Sequence, residues 1–246
     1  MRVAIEIPRV EAGQLGLLRD WVTLAERLGV ASAFAAEAWW SDAVTPLAYL
    51  AAYTERIQLG TGIMQVTART PAMTAMTALT LQDLTGGRFI LGLGASGPQV
   101  VEGLHGVPLN PALTRLRETV EVCRLIFAGE KVVYDGKTLT LPRPGGQGKA
   151  LRVDHAPASI PIYLATLGPK ALAYTGASAE GWLGTSFSPD YPEAHFDHLE
   201  AGAREAGRDL ATLDRCVSAR VSFGDDLEAL LAERRPGVAF TLGAMG

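Results

Sequence analysis

Two glutamates stand where strand geometry gives them chemical potential. Glu6 lies in the alternating run VAIEIP and shares a face with Ala4, while Glu37 closes a second strand-like run, SAFAAE. Side chains two apart on a strand point the same way, and small companions mark a face that can turn into a closed barrel. A carboxylate buried on such a face without a partner is costly, so the pattern asks for a function or a cation. The functional reading makes Glu6 a general acid with a pKa lifted by burial, and places Glu37 at the carboxyl-end rim, where barrel active sites lie. The other reading is a structural ion pair with an Arg or Lys. The residues alone leave both open.

GLGASG, residues 92–97, fits GxGxxG. A dinucleotide site would place that motif in the first strand–helix turn, open a helix inside it, and carry an acid about twenty residues on at the end of the next strand. Here it closes the fourth strand, Pro98 follows it, and Glu118 and Glu121 lie within a helical pattern. The better reading is a turn over Gly94, Ala95, Ser96 and Gly97 whose bare backbone admits a flat ring. LATLGPK, residues 164–170, ends a strand and opens a helix, so its free N–H groups form an anion site with Lys170 as a charge partner. Trp39 and Trp40, just past Glu37, offer a wall for a substrate pocket or plain packing.

These residues need a scaffold, and apolar runs at 3–8, 32–37, 57–64, 89–95, 160–166, 182–188 and 217–223 read as strands. Helical patterns follow each at 14–28, 44–55, 70–84, 111–127, 170–179, 193–206 and 226–233. Gly29 is placed to end the first helix, Asp42 to cap the second, and Pro71 to open the third. Strict strand–helix alternation implies a parallel sheet with right-handed crossovers, either an open sheet or a closed α/β barrel. A barrel needs eight strands and seven are visible, so a TIM-type (β/α)8 barrel short of its C-terminal βα unit is expected. The long connection at about 96–159 reads as an insertion at the substrate face, with a hairpin turning at Asp135-Gly136.

The block at residues 60–108, GTGIMQVTARTP through LTGGRFILGLGASGPQVVEGLHGVP, resembles the luciferase-like monooxygenase superfamily, in its branch that uses the deazaflavin coenzyme F420. AIEIP, ERIQLG, YDGKTLTLP, IPIYLATLGPK, EGW and FSP extend that resemblance to methylenetetrahydromethanopterin reductase-like proteins over nearly the whole chain. It implies one barrel domain spanning 1–246, a homodimer, and hydride transfer between the deazaflavin and a small organic substrate. It implies a non-prolyl cis peptide at Gly62-Ile63 against the ring. Thr166, Leu167, Gly168 and Pro169 fall to the cofactor phosphate, Glu6 to a place beside cofactor and substrate, and Glu37 to a cofactor contact. Arg69 and Thr70 would shape the rim. Dehydrogenases of this branch carry a His where Ala38 stands, so imidazole catalysis there is excluded. The alternatives are an FMN-dependent monooxygenase fed reduced flavin by a partner reductase, and a barrel that has lost its site.

The 246 residues carry a net charge of −4 and 48% hydrophobic residues, and no basic run marks a nucleic-acid partner. No apolar stretch approaches the ~20 residues of a membrane span, and no signal-like N-terminus is present, so a cytoplasmic location is expected. Cys123 and Cys216 lack metal spacing and read as two buried thiols. His195 and His198 read as solvated, no metal is expected, and His105 borders the fourth strand.

Overall fold

The computed structural model describes residues 2–9 and 11–244. Parallel strands β1 (Ala4–Glu6), β2 (Ser32–Ala35), β3 (Gln58–Thr61), β5 (Phe89–Gly94), β8 (Ile162–Ala165), β9 (Gly181–Gly184) and β10 (Asp214–Val217) follow one another round a nearly closed barrel. β4 (Met64–Gln65) resumes the path of β3 against β5. β6 (Tyr134–Asp135) and β7 (Thr140–Leu141) form the expected hairpin. The helices are α1 (Leu15–Arg27), α2 (Val44–Ala51), α3 (Pro71–Leu84), α4 (Ala112–Phe127), α5 (Pro169–Ser178), α6 (Glu193–Glu205) and α7 (Leu227–Ala244). A π-helical turn, Gln99–Leu104, follows β5.

Local chemistry accounts for the boundaries. Asp42 Oδ1 accepts from the amides of Val44 and Thr45 at 2.8 and 2.7 Å, satisfying donors at the start of α2. Thr70 accepts from Met73 N ahead of Pro71 at the first position of α3. Leu18, Val22 and Ala25 recur at helical spacing and bury the inner face of α1. Most core residues lie in the layer between strands and helices, and a smaller cluster of Phe34, Ile90 and Tyr163 fills the barrel itself.

Two segments depart from expectation. The seventh barrel strand begins at Asp214, three residues before the anticipated 217, and residues 219–223 lie outside the sheet ladder. Its neighbour β9 ends at Gly184, so the rung from Ser218 N to Gly184 O is the last available, and Phe223 is left 91% exposed. The final helix runs past 233 through Pro236 to Ala244. α4 packs on α3 as a ring helix, which confines the added part of the long connection to its two flanks. The hairpin is clipped to α4 by Glu118, which accepts from the amides of Lys137 and Thr138 and from the Thr138 hydroxyl. Among the described residues no ladder joins β1 to β10, but Arg2 reaches Asp214 at 2.5 Å and Tyr163 Oη donates to the same carboxylate at 2.6 Å. The sheet therefore curls until its edges meet through side chains.

The third barrel strand is interrupted by design of its sequence. Gly60 pairs Ile90 and Met64 pairs Leu93, so three residues, 61–63, oppose two, 91–92, and the extra one makes a bulge. Such a bulge breaks the backbone ladder, and Thr61 repairs it. Its hydroxyl accepts from Gly92 N at 2.9 Å and donates to Gly92 O at 2.7 Å, all fully buried. Gly92 must be glycine, because a Cβ there would lie 1.8 Å from Thr61 O.

Thr61→Val keeps the shape and strands both polar groups of Gly92, so it should cost about 2 to 4 kcal/mol in urea unfolding. Gly92→Ala should be worse and prevent native folding, since backbone cannot yield; a variant as stable as the parent would remove this account of the bulge. Glu118 supplies a pH test. Burial pushes its carboxyl up, but the hydrogen bonds from Thr138, Lys137 and Leu139 outweigh that and hold it below the ordinary carboxylate range. Its contribution is therefore present above the unfolded pKa of about 4.3 and is lost as pH falls through the lower folded value. Amide exchange at Lys137 and Thr138 should rise on acidification through that window, and Glu118→Gln should already show the loss near neutrality.

Candidate active site

The carboxyl ends of the strands form the rim, and Glu37 is the polar node beneath it. The side chain is 6% exposed. One oxygen accepts from Arg69 Nη1 at 2.5 Å and from Gln65 N at 3.1 Å, and the other from Ala43 N at 3.4 Å. Its backbone N–H donates to Ile63 O at 3.1 Å, and its carbonyl accepts from Gln65 Nε2 at 3.1 Å. One residue thus joins β2, the segment after the bulge, the entry to α2 and the entry to α3. The structural ion pair is the arrangement present at this glutamate, with Arg69 as the cation. Nothing in the spacing could have named that partner, because the two are 32 residues apart.

Beside this node the Gly62-Ile63 peptide is cis, as the resemblance implied. Gly62 N donates to Ala35 O at 2.7 Å, and both residues of the bond are partly exposed at the mouth. Across the bulge, Gly94 lets Ile63 approach: a Cβ on Gly94 would meet Ile63 Cδ1 at 2.8 Å. Ala95 and Ser96 are half-buried, Ser96 turns the chain with φ 63°, and the Gly97 carbonyl accepts from the amides of Val100 and Val101. Below lies an apolar floor of Phe34, Ile90 and Tyr163. Burial, and then the hydrogen bond and charge of Asp214, raise the Tyr163 phenol, which therefore stays protonated. Beneath the mouth the barrel interior is therefore apolar and filled, and the rim above it is made of small residues.

On the far side of the mouth, Leu167, Gly168, Pro169 and Lys170 are exposed where α5 begins. No side chain caps that helix start. Thr166 differs from expectation: it is buried, its hydroxyl is 2.8 Å from that of Thr175, and its carbonyl accepts from Trp182 Nε1 at 3.0 Å. It fastens β8 to α5 and β9, because a residue continuing the strand alternation points into the helix layer.

Glu6 is also a correction. The expectation rested on burial, and Glu6 is exposed. β1 has a ladder partner on one side only among the described residues, so its inward face opens to solvent. Glu6 lines a cavity of about 280 Å³ between the loops that follow β1 and β2, with Arg9, Ala36, Trp40 and Pro46. Trp40 stands edge-on to Trp39, ring centroids 4.7 Å apart. Arg9 and Gln65 escaped the sequence reading, since a lone Arg or Gln in a loop carries no spacing signal. His195 was expected in solvent, yet its ring lies 5.2 Å from Trp182 and 6.1 Å from Phe187, because α6 turns that face to the barrel. Cys123 is buried and its thiol is pushed up to about 12 by desolvation, whereas Cys216 is only half-buried. Among the described residues no group of three or more His, Cys, Asp or Glu is placed to hold a metal, and no helix is long and apolar enough to cross a membrane.

Comparison with known proteins agrees with this geometry. A family model described as luciferase-like monooxygenase matches residues 4–245. A Mycobacterium tuberculosis protein provisionally named a coenzyme F420-dependent oxidoreductase is 42% identical over 236 residues, 92% of this chain and 68% of its own. The 5,10-methylenetetrahydromethanopterin reductase of Methanolobus tindarius is 34% identical over 78% of this chain, which spans 56% of that relative's length. The solved coenzyme F420-dependent tetrahydromethanopterin reductase of Methanopyrus kandleri superposes with a TM-score of 0.79 at 25% identity, covering 98% of this chain and 72% of the other.

The Glu37–Arg69 pair makes a sharp prediction, because removing one partner leaves a buried charge uncompensated. Arg69→Met should cost about 3 kcal/mol, and Glu37→Gln together with Arg69→Met should cost less than the sum of the two. Additive losses in a double-mutant cycle read by urea unfolding would show that the two side chains do not act as a unit.

Proposed function

The chain belongs to the luciferase-like monooxygenase family, and from that premise we propose that it is an oxidoreductase that binds the deazaflavin coenzyme F420 at the barrel mouth. The likeness to relatives named for that coenzyme supports the choice of cofactor, and the Gly62-Ile63 bulge at the rim above the apolar barrel interior is the observation that carries the site. The fit can be judged on the residues present. Gly62 and Gly94 let the bulge pack closely, since a Cβ on Gly62 would meet Phe34 Cβ at 3.0 Å and one on Gly94 would meet Ile63 Cδ1 at 2.8 Å, and Ile63 so held would offer a flat ring an apolar support. A helix start with free N–H groups and Lys170 suits a phosphate. Both ends of a ring-and-phosphate cofactor are accommodated.

Bound there, the deazaflavin would supply a ring carbon able to accept or release a hydride. The rest is the work of this chain. The Gly62-Ile63 backbone and the Gly94–Gly97 turn would hold the ring from two sides, and Leu167, Gly168, Pro169 and Lys170 would hold the phosphate. Glu37 is engaged with Arg69 and three amide groups, so we assign it to positioning: it fixes the bulge against which the ring rests. Glu6, which lines the cavity beside the mouth and has no ion-pair partner within 4.0 Å among the described residues, would exchange a proton with a substrate hydroxyl or carbonyl oxygen. Ala38 offers no imidazole for that step. Trp39 and Trp40 border the place where a substrate would sit.

Titrating the purified protein with coenzyme F420 and, separately, with FMN tests the reading by the change in cofactor fluorescence. Saturable F420 binding that Gly94→Val weakens at least tenfold is expected, because the added branch would collide with Ile63 and displace the bulge that would support the ring. Tight FMN binding with no response to F420 would favour the monooxygenase alternative, and no binding of either would favour a barrel without its site.

A further inference from the structure

The cavity between the loops after β1 and β2 has a composition that bears on substrate. Arg9 stands on one wall and Glu6 on another, and among the described residues neither has an ion-pair partner within 4.0 Å. A guanidinium and a carboxylate that share a small cavity without touching each other leave room for a ligand that engages both. The rest of the lining mixes apolar Ala36, Pro46 and Trp40, which is 38% exposed, with the polar Ser41. Aromatic rings that keep a face open beside a cation favour a flat apolar body.

We propose that this cavity binds a small aromatic or alicyclic hydroxy acid, its anionic group on Arg9, its hydroxyl on Glu6 and its ring against Trp40. Arg is suited to the anion because its planar fork of donors matches a carboxylate and it remains charged at every working pH. Glu6, as an ionised acceptor, selects a ligand that can donate a hydrogen bond. The volume of about 280 Å³ suits a ligand of one ring and a short acid arm. The proposal deepens the oxidoreductase reading and rests on it only for the word substrate, since the binding itself needs no cofactor. Ala35 lines this cavity and its carbonyl accepts from Gly62 N at 2.7 Å, so the cavity adjoins the bulge where the ring would rest.

The test uses the intact chain with no cofactor added and three probes: mandelate, mandelamide without the charge, and phenylacetate without the hydroxyl. Binding is followed by the indole N–H resonance of Trp40, assigned with Trp40→Phe. Mandelate should bind saturably, with mandelamide and phenylacetate each weaker by about tenfold, the loss of one charge-assisted hydrogen bond. Arg9→Gln should bring mandelate to the level of mandelamide, and Glu6→Gln should narrow the gap between mandelate and phenylacetate. Equal binding of mandelate and mandelamide by the unaltered protein, or no shift at Trp40 with any probe, overturns the proposal without reference to a variant. Failure of the F420 titration with mandelate binding intact removes only the cofactor reading, and the reverse removes only this one.

Discussion

One extra residue in the third barrel strand is the constraint from which the site follows. A parallel sheet tolerates a bulge only if its interrupted hydrogen bonds are replaced, since unpaired backbone groups in a barrel wall have no water to turn to. On one side the Thr61 hydroxyl replaces them, serving as acceptor and donor to Gly92. On the other, Ala35 O and Glu37 N take up Gly62 N and Ile63 O. The bulge is thereby held rigidly from both neighbours, and its exposed face is backbone and not side chain. A flat ring can rest against such a surface without displacing anything.

Glu37 extends that constraint outward. A buried carboxylate is tolerated because one guanidinium and two amides complete its hydrogen bonding, and those donors come from three different segments. The net stability from such a pair is modest, but its geometry is demanding. It admits one arrangement of the chain between Met64 and Thr70, which is also the stretch that orients the bulge. The carboxylate thus fixes the shape of that stretch.

The strand–helix order, the hairpin, the cap at Asp42 and Pro71 at the start of α3 were legible from local periodicity and side-chain chemistry, and the cis peptide at Gly62-Ile63 from the resemblance carried by a motif of contiguous residues. The errors share a different cause. The last strand was misplaced because VSARVSF alternates better than DRCV, yet pairing is decided by where β9 ends. Thr166 looked like a rim residue from its motif, and its buried hydroxyl contact with Thr175 depends on the face that α5 presents. Arg69 as the partner of Glu37 is a contact between separate segments, and Arg9 shares a cavity with Glu6 from a loop without a repeat, so no periodicity encodes either. GxGxxG was the most misleading signal. Its glycines answer to close approach, Gly92 to the carbonyl of Thr61 and Gly94 to Ile63, and a regular expression cannot distinguish that need from a phosphate cradle.

The exposure of Glu6 changes how proton transfer at this rim must work. A general acid buried in an apolar pocket is prepared in advance, since desolvation alone favours its protonated form. Glu6 is exposed, so water reaches its side chain until something covers it. The covering surface available is the ligand itself: a ring lodged against Trp40 with its anion on Arg9 would exclude water from the carboxylate and bring a hydroxyl to it in the same event. Substrate binding and tuning of the proton acceptor then become one step, and a ligand lacking either the ring or the charge would leave Glu6 hydrated and ineffective. Selectivity at such a rim arises from how completely the substrate closes the site, more than from contacts prepared before it arrives.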